Sequence, residues 1–140
     1  MKISDVMTPN PKTVSMGDDL QKAAAIMRDE DAGSVPVVEE GRIVGIVTDR
    51  DIVVRAVADG DFDCAIEVVC SDDVVCARPD MSTSEAAELM GEHQIRRLPV
   101  VDDDDRLVGI VSLGDIAVKE GRDSKMGDTL EDISEGVKRH

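Results

Sequence analysis

The chain has 140 residues and a formal net charge of −15, from 31 acidic against 16 basic side chains, with 41% hydrophobic residues and Phe62 as its one aromatic. That apolar share supports a packed core. No stretch approaches the ~18 apolar residues of a membrane span, and Met1 to Pro9 lacks the apolar region of a secretory signal, so the cytoplasm is the expected location. A field of this sign repels nucleic acid and anionic membranes, and no concentrated basic patch offsets it, so neither is expected as a partner. Asp supplies 21 of the acids and Lys only 6 of the bases. That bias is similar to the composition of salt-adapted proteins, where molar salt shortens the Debye length to ~3 Å and screens self-repulsion.

In chain order, Met7 to Pro11 reads as a turn and Lys12 to Val14 as a short extended segment. Asp18 or Asp19 then caps a helix running to about Asp29, with Leu20, Ala23, Ala24 and Met27 on one face and Gly33 ending it. Val35 to Val38 and Arg42 to Thr48 form two strands joined by the acidic turn Glu39-Glu40-Gly41, and the pattern becomes helical again through Ile52, Val53 and Ala56. After Asp59 to Asp63 the order recurs. Val75 to Ala77 is extended, a helix spans about Ser82 to Glu92, strands cover Arg97 to Val101 and Asp105 to Ser112, and a helix starts near Leu113. In the tail, Leu130, Ile133 and Val137 recur at three and seven, the spacing of a short amphipathic helix that could dock on the module or on a partner chain.

The recurrence is a true internal repeat. An offset of 63 pairs Ile3 with Ile66, Ala23-Ala24 with Ala86-Ala87, Met27 with Met90 and Pro36 with Pro99. Past the polar turn one residue is inserted, so Gly45 pairs with Gly109 and Asp51 with Asp115 at 64. The expected division is 1–62, 63–121 and a tail of 122–140, each repeat running β-α-β-β-α in an α/β (α+β) fold.

Cys64, Cys70 and Cys76 are spaced by six, unlike paired zinc ligands, and are expected to be free and mostly buried. The run Asp102 to Asp105 reads as a solvated turn, because a cation needs oxygens converging from several directions. No nucleophile has a plausible histidine base, and neither H-E-x-x-H nor a phosphate-binding G-x-x-x-x-G-K-[ST] loop occurs, so no catalytic residues, no metal and no required cofactor are expected.

VGIVTDRDI at 44–52 returns as VGIVSLGDI at 108–116. Thr48 with Asp51, and Ser112 with Asp115, each fit a capping box, a hydroxyl N-cap with a carboxylate reaching back to the cap's N–H, although such boxes prefer the longer Glu or Gln. The same pair could serve a nucleotide. One carboxylate can accept both neighbouring ribose hydroxyls, and a helix start favours phosphate. Capping and binding are compatible in one aspartate.

ISDVMTPNPKTV, SVPVV and GIVTDRDI, with RRLPVV and GIVSLGDI in the second copy, resemble a tandem pair of CBS domains, the Bateman module, over about residues 1 to 120. The resemblance implies two sheets packed face to face about a pseudo-twofold axis, with clefts between the repeats for AMP, ADP, ATP or S-adenosylmethionine. It implicates Thr13, Val35, Pro36, Ile46, Thr48, Arg50 and Asp51 in one copy, and Pro99, Ile110, Ser112 and Asp115 in the other. It also implies that Arg96 and Arg97, where the first copy has Gly33 and Ser34, reach phosphates of a ligand anchored by Asp51, making that cleft the tighter nucleotide site. Cys76 stands where the first copy has Thr13, a departure on the Asp115 side. A stand-alone regulatory module is expected, signalling to an unidentified regulated protein and pairing as a homodimer. The alternatives are a structural or dimerisation module whose aspartates are only helix caps, and a cryptic enzyme or metal protein for which the sequence supplies no ligand set.

Overall fold

A computed structural model of the chain describes residues 1–120. The tail helix expected around Leu130, Ile133 and Val137 lies outside the described residues. In chain order come a 3-10 turn at Ile3–Asp5, then β1 (Thr8–Pro9), α1 (Leu20–Glu30), β2 (Ser34–Glu39), β3 (Arg42–Thr48) and α2 (Asp49–Ile52). A π-helical turn at Val53–Val57 follows, then α3 (Ile66–Val69), α4 (Thr83–His93), β4 (Arg97–Val101), β5 (Leu107–Ser112) and α5 (Leu113–Glu120).

Local chemistry accounts for the two long helices. The Asp19 carboxylate accepts the Lys22 N–H at 3.0 Å, which caps α1, and Leu20, Ala23 and Met27 turn inward at helical spacing. The helix stops on Asp31, left-handed at φ 50, two residues before the glycine that the sequence suggests; Asp tolerates this conformation because its short polar side chain compensates locally. α4 repeats the design. Ser82 Oγ accepts the Glu85 N–H at 3.1 Å, and Gln94 closes the helix at φ 54.

Two compact units result, and neither is contiguous in sequence. One comprises Lys12–Val74 with Asp104–Leu107; the other comprises Met1–Pro11, Val75–Asp103 and Val108 onward. In the first-repeat unit β2 and β3 pair antiparallel, with a bulge between Val37 and Val38, and Val14 runs parallel to Val37. The buried core joins Val14, Leu20, Ala23, Met27, Val35, Val37, Val47 and Ala56 to Ile66 and Val69 from α3. In the second-repeat unit the sheet order is β1-β5-β4, and Ala77 runs parallel to Val100. Its core joins Ala77, Ala86, Ala87, Met90, Leu98, Val100, Val111, Leu113 and Ile116 to Ile3 and Val6.

Each repeat's opening segment therefore supplies core to the unit built on the other repeat. Met7 to Pro11, expected as a turn, contains β1, which pairs antiparallel with β5 through Thr8↔Ile110 and Pro9↔Gly109. At the matching place in the first-repeat unit, Ser71 bridges Ile46. The close crossing explains two glycines: a Cβ on Gly45 would lie 2.9 Å from the Ser71 carbonyl oxygen, and one on Gly109 would lie 3.0 Å from that of Thr8.

The acidic turn behaves as a solvated loop with a structured backbone. Arg42 Nε donates to the Asp104 carbonyl at 3.0 Å and the Ile43 N–H to the Asp105 carbonyl at 3.0 Å, while the Asp103, Asp104 and Asp105 side chains face water. Cys64, Cys70 and Cys76 are free thiols, half-buried rather than buried. Partial burial, with a smaller contribution from nearby carboxylates, pushes the Cys64 and Cys70 thiols up and lowers their thiolate fraction.

Candidate functional site

The two repeated motifs sit at the same kind of junction, where a half-buried strand ends and a helix begins. At the end of β3, the Asp51 N–H donates to Thr48 Oγ1 at 3.0 Å and the Thr48 N–H donates to Asp51 Oδ2 at 3.0 Å, a closed reciprocal box. Oδ1 of Asp51 lies 4.0 Å from Arg55 Nε, and Arg55 also donates to the Val69 carbonyl at 3.2 Å. The Asp51 side chain remains 17% exposed, so the box does not seal it from solvent.

At the end of β5 the arrangement recurs more loosely. The Asp115 N–H donates to Ser112 Oγ at 3.0 Å, while the Ser112 N–H reaches Asp115 Oδ2 at 3.4 Å. Both junctions are held from behind in one way: the Asp49 N–H donates to the Gly33 carbonyl at 3.0 Å and the Leu113 N–H to the Arg96 carbonyl at 2.8 Å. Capping is thus a property of both aspartates.

Within the first-repeat unit the expected residues converge. Ser34, Val35 and Pro36 are register partners of Thr48, Val47 and Ile46, and Pro36's carbonyl accepts the Val14 N–H beside Thr13. Arg50 and Asp51 lie in the first turn of α2. Val35 and Pro36 are buried and shape the site from beneath, whereas Thr13, Ile46 and Thr48 are partly exposed and Arg50 is exposed. Ile46 exchanges both backbone hydrogen bonds with Ser71, so it offers a ligand apolar side-chain surface.

The second-repeat unit gathers its own set. Arg96 precedes β4 and Arg97 opens it; Pro99 is buried and its carbonyl accepts the Ala77 N–H, while Ile110 pairs with Thr8. The sequence reading missed Ser71 and Thr8, which flank Ile46 and Ile110. The repeat offset could have found them, since both are hydroxyl residues 63 apart. It also missed Asp49, whose carboxylate Oδ1 accepts the Arg50 N–H at 2.8 Å, and Arg55. Among the described residues no three His, Cys, Asp or Glu side chains converge as a metal site, and no helix is long and apolar enough to cross a membrane.

Comparison with known proteins joins this geometry to a family. The CBS domain profile matches residues 3–57 and 65–119. The chain is 44% identical over 133 residues to the CBS domain-containing protein YhcV of Bacillus subtilis, covering 94% of each chain. Among solved structures it is similar to the CBS domain pair of protein MJ0100 in complex with 5′-methylthioadenosine and S-adenosyl-L-methionine. That match has 32% identity and a TM-score of 0.75 over 86% of this chain and 96% of the other. It shares its fold with CBSX2 in complex with AMP, at 24% identity and a TM-score of 0.75, over 86% of this chain and 96% of that one. With both strand–helix junctions lying inside the matched stretches, the chain belongs to the CBS domain family and carries a tandem pair of CBS domains.

Proposed function

We propose that this CBS pair is a regulatory, non-catalytic module that binds an adenine-containing ligand, AMP, ADP, ATP or S-adenosylmethionine, and passes the signal to a protein partner, acting as a homodimer. The observation that carries the reading is the repeated junction. Twice, a partly exposed isoleucine, a hydroxyl two residues on and a carboxylate three beyond that occupy a strand end and a helix start. Ile46 and Ile110 supply apolar surface for a base, Asp51 and Asp115 accept ribose hydroxyls, and Thr48 and Ser112 stand beside them. Thr13, Val35, Pro36 and Arg50 lie in the first repeat, and Arg96, Arg97 and Pro99 in the second. The adenosyl ligands of the 32% identical CBS pair support the same ligand class.

A second reading, that both aspartates only cap helices, draws on the closed hydrogen bonds of the boxes. Thermal unfolding with AMP, ADP, ATP, NAD and S-adenosylmethionine separates the two, because a ligand at 100 times its Kd stabilises the folded state by about 2.7 kcal/mol. Asp51→Asn and Asp115→Asn keep an oxygen for the cap and lose the carboxylate's bidentate acceptance. The ligand reading expects a reduced ligand shift in at least one of them with little change in the ligand-free midpoint. No shift with any compound in the unsubstituted chain would leave the capping role alone.

A further inference from the structure

In the first-repeat unit one arginine ties the Asp51 carboxylate to the segment that opens the second repeat. Oδ2 of Asp51 is held by the capping box, and Oδ1 lies 4.0 Å from Arg55 Nε. Nη1 of the same guanidinium donates at 3.2 Å to the carbonyl of Val69, the last residue of α3. The N–H of the next residue, Cys70, donates to the Ile66 carbonyl at 2.9 Å, and Ser71 after it exchanges both backbone hydrogen bonds with Ile46. Ile46 leads along β3 to Thr48, whose N–H returns to Asp51. The contacts therefore close a ring, from Asp51 through Arg55, Val69, Ser71, Ile46 and Thr48, inside one unit. Arg50, the other cation of this turn, is exposed and stands outside the ring.

The second repeat does not supply this arginine. The offset of 64 that pairs Asp51 with Asp115 pairs Arg55 with Lys119, and the offset of 63 pairs Val69 with Val6. Lys119 carries a single side-chain nitrogen, whereas Arg55 turns Nε to the carboxylate and Nη1 to the carbonyl. The helices differ as well. α5 runs regularly over Leu113–Glu120, while the chain after α2 widens into the π turn at Val53–Val57, where the Ala58 N–H reaches the Val53 carbonyl at 2.9 Å. Such turns recur at functional positions, and Arg55 is the middle residue of this one. Because the guanidinium is half exposed, the bridge adds little to stability, and a competing donor at the carboxylate can displace it.

We propose that Arg55 is a positioning residue that reports the state of Asp51 to residues 69–71. A ligand hydroxyl donating to the Asp51 carboxylate competes with the guanidinium, and the Val69 carbonyl then loses its donor. This inference rests on the ligand-binding reading above and goes beyond it by naming the route through which occupancy alters the fold; it does not depend on which ligand is bound. The last carbonyls of a helix lack partners within it, so α3 relieved of its side-chain donor frays. The Cys70 and Ser71 N–H groups, which follow directly, then open more often.

Amide hydrogen exchange on the full chain tests this. In the ligand-free protein Arg55→Met, which keeps the aliphatic bulk, should speed exchange at Cys70 and Ser71 about fivefold. Asp51→Asn, which keeps an oxygen for the cap, should speed the same two amides, and the double variant should add nothing further, since both act through one bridge. An arginine with a merely structural role gives additive effects instead. Asp115→Asn should leave Met7 and Thr8, the equivalent amides of the other unit, unchanged. Saturation with AMP or S-adenosylmethionine should reproduce the Asp51→Asn pattern in the unsubstituted chain and change nothing at Cys70 and Ser71 in Arg55→Met. Unchanged exchange in Arg55→Met, additivity with Asp51→Asn, or a matching acceleration at Met7 and Thr8 in Asp115→Asn overturns the bridge. Should Arg55→Met not fold, Arg55→Lys must abolish the response of Cys70 and Ser71 to ligand, and a response that persists overturns the proposal equally. Binding of a compound without a change at Cys70 and Ser71 refutes the relay alone. Binding of neither compound refutes the ligand reading and the relay with it.

Discussion

Ser71 and Ile46 exchange both of their backbone hydrogen bonds, Ile46 N–H to the Ser71 carbonyl at 2.8 Å and Ser71 N–H to the Ile46 carbonyl at 2.9 Å. A segment that opens the second repeat in sequence is thereby a strand partner of the first repeat's site-bearing strand, five residues before Asp51. Thr8 and Ile110 are the matching pair in the other unit.

The exchange predicts where a core deletion is felt. Ile66 is fully buried among residues of the first-repeat unit, so Ile66→Ala should destabilise the chain by about 2–5 kcal/mol in urea unfolding. Its amide shift changes should concentrate in residues 12–74. Ile3→Ala should do the converse, perturbing residues 75–116. Shift changes from Ile66→Ala centred on α4 and β4 would contradict this assignment.

The backbone crossing at Gly45 gives a sharper test. A methyl at 2.9 Å from a carbonyl oxygen can be relieved only by moving the Ser71 segment off Ile46, because the obstacle is main chain. Gly45→Ala should therefore cost about 1–3 kcal/mol, in the range of overpacked sites, and should speed amide exchange at Ile46 and Ser71 above the rest of β3. Gly17→Ala is the control, since nothing lies within 4 Å of its would-be Cβ. Equal stabilities for the two variants would remove the close approach as the reason for Gly45.

Much of this was legible from spacing. Apolar periodicity, a cap at Asp18 or Asp19, a helix start near Ser82, and the offset of Pro36 and Pro99 locate the main elements of both repeats, because these signals are local. The capping boxes were legible for the same reason, as each closes within four residues. The exchanged openings were not. Ile3 and Ile66 match each other at offset 63, yet an offset says which residues are equivalent and nothing about which core each enters; that is decided by long-range packing. The π-helical turn at Val53–Val57 was also hidden, since a one-residue slip in a helix leaves no distinct composition. Asp49 went unnoticed because its importance lies in its neighbours, Gly33 across the strand end and Arg50's N–H, rather than in a motif.

Acid sensitivity should begin at one carboxylate. The Ser15 N–H at 2.8 Å and then the Lys22 ammonium at 3.0 Å hold Asp18 below its ordinary value of 3.8. A carboxylate depressed on folding contributes stability above its unfolded pKa, and that contribution fades as pH falls from about 4 through the lower folded value. Asp18→Asn should accordingly narrow the loss of urea midpoint between pH 5 and pH 3 relative to the unsubstituted chain. An equal loss in both would mean that this hydrogen-bonded pair carries none of the acid dependence.

The acidic excess makes a prediction about salt that the fold alone does not. With a net charge of −15 the folded chain confines more mutual repulsion than the expanded one, and screening relieves it as the Debye length shrinks from ~10 Å at 0.1 M to ~3 Å at 1 M. Surface ion pairs work against this only weakly, since pairs such as Lys12–Glu30 and Arg28–Asp29 are widely exposed and pairs of that kind are worth about 0–1 kcal/mol each. The unfolding midpoint should thus rise steadily from 0.1 to 2 M KCl. Sorbitol at matched osmolality controls for general exclusion effects and should give a smaller rise. If the two co-solutes act alike, or if KCl lowers the midpoint, the aspartate-rich surface is a device for solubility and not an adaptation to high salt.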